Sequence, residues 1–74
     1  MENYEAIMSL AEHAKIYGHN IWHYLIDTSI GEIHVVEFET KDMSLERKIF
    51  DGNRQKAENY FKKTARELLD GKYL

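Results

Sequence analysis

The chain has 74 residues (8.8 kDa), 43% of them hydrophobic and 31% charged, with no cysteine, no proline and a formal net charge of −3. That is one small domain, residues 1–74, with a thin core, since a chain of this size buries roughly 60% of the surface it exposes when unfolded. Without cysteine there is no disulfide framework, thiolate metal site or thiol nucleophile, and with apolar runs of two or three residues no membrane span or signal-peptide core is expected; a cytoplasmic setting fits this usage.

Residues 3–17 read as an amphipathic helix. Tyr4, Ile7, Leu10, Ala11, Ala14 and Tyr17 recur at spacings of three and four, with Glu5, Glu12 and Lys15 between them. Gly18 followed by His19 and Asn20 supplies a helix stop. Residues 21–27 (Ile-Trp-His-Tyr-Leu-Ile-Asp) carry the β-branched and aromatic side chains of a strand, and residues 27–32 form a turn. A second strand covers 33–39, with Ile33 and Val35 on one face and His34, Val36 and Phe38 on the other. Residues 41–44 turn again, and 45–50 make a third, shorter strand. Asp51-Gly52-Asn53 offers a turn and an N-cap for a helix from about residue 54 to 70, closed by Asp70-Gly71. Its apolar stripe is Ala57, Tyr60, Phe61, Thr64, Ala65, Leu68 and Leu69. The expected order is α-β-β-β-α: an α+β domain whose three-stranded antiparallel sheet carries two helices on one face. The outer face of the sheet and the outward sides of the helices are left for work.

Several patterns in this order resemble the double-stranded RNA-binding domain. Leu10-Ala11-Glu12-His13-Ala14 followed by Gly18 is similar to the family's Leu-x-Glu-x-x-Gln…Gly signature, with Lys15 in place of the Gln. Tyr24 precedes Gly31 by seven residues, as the family's strand Tyr precedes its loop Gly, and Gly31-x-x-His34-x-x-x-Phe38 is similar to Gly-Pro-x-His-x-x-x-Phe, with Glu32 for Pro. Asn53-Arg54-Gln55-Lys56-Ala57-Glu58 resembles Ser-Lys-Lys-x-Ala-Lys, except that Glu58 has the opposite sign to the family's Lys. The resemblance runs from about residue 4 to 69.

It implies recognition of double-stranded RNA by shape across about 16 base pairs, through two minor grooves and the intervening major-groove phosphates. Glu12 on the first helix would accept a hydrogen bond from a 2′-hydroxyl, with Lys15 reaching a sugar or phosphate. His34 would enter the second minor groove. Arg54, Gln55 and Lys56, at the start of the second helix, would meet phosphates, aided by exposed N–H groups and the helix dipole.

Charge is unevenly distributed. Residues 1–37 hold one base, Lys15, against six acids, whereas residues 38–74 hold nine bases against seven acids. A locally basic face is therefore compatible with an acidic chain. The acidic total, Gln55 and Glu58 together favour an alternative, in which the same fold has no RNA contacts and serves as a protein-interaction or dimerisation module. A hydrophobic patch on the sheet edge or the second helix would speak for it.

No chemistry is expected. His19 and His23 are four apart, a ligand spacing on a helix, but that stretch reads as strand; no His-Glu-x-x-His pattern is present, and the serines and carboxylates frame no nucleophile or acid–base pair. The reading is a non-enzyme with no metal, cofactor, small-molecule substrate or membrane partner. Trp22, Tyr24 and Phe38 are expected in the core, as a domain this small needs its aromatics inside. Tyr60 and Phe61 imply a bulky helix–sheet contact or one aromatic left outside.

Overall fold

The computed structural model of the chain describes residues 7–40, 42 and 44–71. Four strands, β1 (Ile7–Ile16), β2 (His19–Thr28), β3 (Gly31–Glu39) and β4 (Leu45–Asp51), are followed by one helix, α1 (Arg54–Leu69). The strands form an antiparallel meander in chain order, β1-β2-β3-β4, with α1 packed on one face, chiefly over β2 and β3.

The fold therefore differs from the expected α-β-β-β-α arrangement. The first element is a strand, the sheet has four strands rather than three, and the described residues contain a single helix. Residues 3–6 of the expected helix, Lys41 and Met43 lie outside the described residues. The misreading has a local cause. Leu10 pairs with Tyr24 and Glu12 with His23, so Ala11 is an extra residue in β1, a β-bulge. A bulge adds one to the two-residue period of a strand. Leu10 and His13 consequently share a face at a spacing of three, which mimics a helical repeat. The same-face neighbours are Met8, Leu10, His13 and Lys15 on one side and Ser9, Glu12, Ala14 and Ile16 on the other.

Gly18 ends no helix. Tyr17 and Gly18 have φ of 51° and 84° and sit between the paired Ile16 and His19, which is the two-residue hairpin loop whose twist matches that of its strands. The β2–β3 hairpin turns through Ser29 and Ile30. There the Thr28 hydroxyl donates to the Gly31 carbonyl (2.6 Å), and the Ile30 N–H donates to Thr28 Oγ1 (3.3 Å). The later elements fall within a few residues of expectation. Asn53 caps α1, its Oδ1 accepting from the Lys56 N–H at 3.0 Å.

The core lies between the sheet and α1. Ile21, Val36 and Phe38 meet Ala57, Phe61 and Leu68, with Ala14, Ile16, Phe50, Tyr60 and Ala65 packed around them. Buried helix positions 57, 61, 64 and 68 keep the helical spacing of three and four. Phe61 is in the core, and half-buried Tyr60 packs on Phe50, ring centroids 5.6 Å apart. Phe38 is buried as expected, but Trp22 and Tyr24 lie on the opposite face of the sheet, half-exposed.

Candidate functional site

The face of the sheet turned away from α1 has no cover among the described residues. It carries Met8 and Leu10 from β1, Trp22, Tyr24 and Ile26 from β2, Ile33 and Val35 from β3, and Ile49 from β4. Met8, Leu10 and Ile49 are 63%, 55% and 57% exposed. Met8, Tyr24, Ile26, Ile33, Val35 and Ile49 line an open concavity of about 640 Å³, rimmed by Glu37, Arg47 and Asp51. The central strands are thus apolar on both faces: Ile21 and Leu25 alternate with Trp22, Tyr24 and Ile26, and Val36 and Phe38 with Ile33 and Val35. Strands that read this way belong to sheets covered on both sides. One helix covers one.

Beside the apolar area the face is polar and internally paired. Glu37 and Arg47 are cross-strand partners joined by Nε–H donation to Oε1 at 2.8 Å. Glu39 accepts from both the backbone N–H and the side-chain amide of Asn20, each at 2.8 Å. Those bonds, the backbone one first, hold its carboxyl below the ordinary glutamate range. With the Asn20 amide nitrogen committed to Glu39, its oxygen faces His13, so His13 Nε2 is the donor in their 2.8 Å bond. The His13, Trp22 and Tyr24 rings stack in a ladder, with centroid separations of 5.9 and 6.5 Å. Trp22 stands between the other two rings, so its faces are turned to them rather than left free as a platform for bases.

Beneath α1, on the core side of the sheet, lies a second polar feature. His23 and His34 are each 1% exposed and share one hydrogen bond, Nε2 to Nδ1 at 3.0 Å. The outer nitrogens, His23 Nδ1 and His34 Nε2, make no hydrogen bond to described residues. The Glu32 carboxylate stands 3.4 Å from His34 Nε2, within ion-pair range but outside hydrogen-bond geometry. Burial, and then the proximity of His34, push the His23 pKa below its usual 6.5, against the pull of Glu12 and Glu58. No group of three or more His, Cys, Asp or Glu side chains among the described residues could hold a metal ion.

The residues singled out for RNA are dispersed. Three apart in a helix, Glu12 and Lys15 would share a side; in β1 they face opposite sides of the sheet, Glu12 opposite His23 and Lys15 opposite Asn20. His34, expected at a loop end and accessible to a groove, is buried. Arg54, Gln55 and Lys56 do stand exposed on the first turn of α1. Arg54 Nε lies 3.3 Å from Glu58 Oε2, and Gln55 Nε2 donates to Asn59 Oδ1 at 3.0 Å. The hydrophobic patch is present, but on the open sheet face rather than on the sheet edge or the helix. Its residues Trp22 and Tyr24 read as core from the sequence, although the two-sided apolar alternation of 21–26 and 33–38 carries the signal of a second apolar face. No family model, curated protein or solved structure matches this chain.

Proposed function

We propose that the protein is a self-association module in which two copies pack the open faces of their sheets together. The observation that carries this is the two-sided apolar character of β2 and β3, with α1 covering one side only. The second layer of a sandwich is the ordinary cover for such a face.

Three features favour a second copy as the occupant. The charges on the face, Lys15 and Arg47 against Glu37, Glu39 and Asp51, are nearly balanced, and Glu37 and Glu39 are already engaged. Such a face suits its own kind better than a strongly charged partner. The sheet edges are guarded, β1 by its bulge and β4 by the exposed run Glu46-Arg47-Lys48, which discourages strand-to-strand addition. Finally, a face roughly 19 by 23 Å, taken from strand spacing and rise, removes on the order of 1,000 Å² when two copies meet, the lower bound for a specific interface. The dimer is therefore expected to be weak.

The duplex-RNA expectation relied on a first helix presenting Glu12 and Lys15 together and on an accessible His34, and neither arrangement is available here.

Sedimentation equilibrium from about 1 μM to 1 mM tests the proposal, with a dissociation constant in the micromolar range expected for an interface of this size. The mass should rise to twice the 8.8 kDa of the chain. Ile49→Glu should stay monomeric with an unchanged circular dichroism spectrum. Ile30→Glu, at the 95% exposed hairpin tip off the face, should dimerise normally. A wild type that remains monomeric throughout, or an Ile49→Glu variant that still dimerises, rules the reading out.

A further inference from the structure

We infer that the outward side of α1 is a docking ridge for duplex DNA, seated in the major groove and held by phosphates. From Arg54 to Arg66 every solvent-exposed helix position carries a base or an amide. Arg54, Lys56, Lys62, Lys63 and Arg66 supply the charge; Gln55 and Asn59 are the amides. The two acids of the helix, Glu58 and Glu67, are half-buried, and Glu58 is turned to Arg54. Positive charge is thus concentrated on one element of a chain whose net charge is −3.

The geometry suits a groove. At ~3.6 residues per turn, Gln55, Asn59, Lys62 and Arg66 align along a crest about 17 Å long, with Lys56 and Lys63 beside it. Opposite the crest, Ala57, Phe61, Thr64 and Leu68 hold the helix to the sheet. As the single helix among the described residues, α1 has no flanking helix, and the crest stands clear as a ridge. A major groove about 12 Å wide admits a helix with phosphates on either side, where Lys and Arg pair with guanine edges and Gln and Asn with adenine edges. The deep, narrow major groove of A-form RNA does not admit one. A lipid surface fits less well. An interfacial helix buries an apolar side, whereas α1 has already given its apolar side to the sheet, leaving Leu69 as its exposed large hydrophobe. Glu12, Asp27, Glu32 and Glu46 share this side of the molecule but lie in the sheet layer below the crest, so an approaching duplex meets the cations first.

Fluorescence anisotropy with a labelled DNA duplex of about 20 base pairs, the matching RNA duplex and the single strand, at about 50 and 150 mM salt, tests this. Micromolar binding to the DNA duplex is expected at the lower salt, at least tenfold tighter than to RNA. The logarithmic salt slope should approach −4, since five cations at ~0.9 per phosphate set the limit. Lys62→Glu with Lys63→Glu, both at exposed positions, should weaken binding at least tenfold and flatten the slope. Asn59→Lys should tighten it several-fold. If circular dichroism shows the double variant unfolded, Asn59→Lys decides. No duplex binding at tens of micromolar, equal affinity for the RNA duplex, or affinity unmoved by the variants would overturn the inference.

Discussion

His23 and His34 satisfy one nitrogen each through their shared hydrogen bond, and burial makes a positive charge on His23 costly. The folded-state pKa of His23 is lowered, so between that value and 6.5 the unfolded chain binds more protons. Stability is then complete above pH 6.5 and is lost as pH falls through the folded value. Glu12 and Glu58 oppose this loss, and Arg54 adds to it. Glu39 acts in a lower window. Its folded pKa is also depressed, so its contribution is present above 4.5 and disappears as pH falls further. Thermal unfolding followed from about pH 7.5 to 5.5 should show a falling midpoint in the wild type. Replacing both partners, His23→Leu with His34→Leu, should flatten that part of the curve, because removing both leaves no orphaned polar group. A wild-type midpoint constant across the range would show that the pair does not couple to pH.

At the scale of elements, β1 decides how much of the fold can be read in advance. β2, β3, β4 and α1 announce themselves through β-branched runs, turn residues and a helical stripe. In β1, good helix formers such as Ala11, Glu12, Ala14 and Lys15 coincide with a bulge that breaks the two-residue period, so propensity and spacing agree on the wrong answer. The error carries into the site, because Glu12 and Lys15 share a side only in a helix. The outer sheet face was legible as a working surface once a sheet was inferred. Its apolar residues were not, since Trp22 and Tyr24 look like core in a chain this small. Deleting Ala11 tests the account directly. Glu12 would still face His23 and Leu10 would still face Tyr24, in a regular strand. The variant should keep its circular dichroism spectrum and cooperative unfolding; loss of the fold would show that Ala11 is more than an inserted residue.

For the whole molecule, the ordering of parts is plain. Every strand pairs with its neighbour in sequence, and α1 returns across β2 and β3 so that the Tyr17 hydroxyl donates to the Leu69 carbonyl at 3.3 Å, tying the first hairpin to the helix end. A chain ending at Asn53 would retain all four strands but leave Ile21, Val36 and Phe38 uncovered. It should aggregate or lose its cooperative transition in urea. A monomeric, cooperatively folded fragment would mean that the sheet is self-sufficient.

The position of the helix after all four strands has a consequence in time. Ribosomes add about 5–20 residues per second, so on the order of a second separates the synthesis of the last strand from that of the helix that covers the sheet, whereas a hairpin forms in ~1–10 μs. Local pairing and the absence of proline give refolding no isomerisation phase with which to mask that interval. Strands that pair before the helix is in place have both faces uncovered, and the bulged β1 edge and the charged β4 edge are the features that would discourage a neighbouring chain from adding to them.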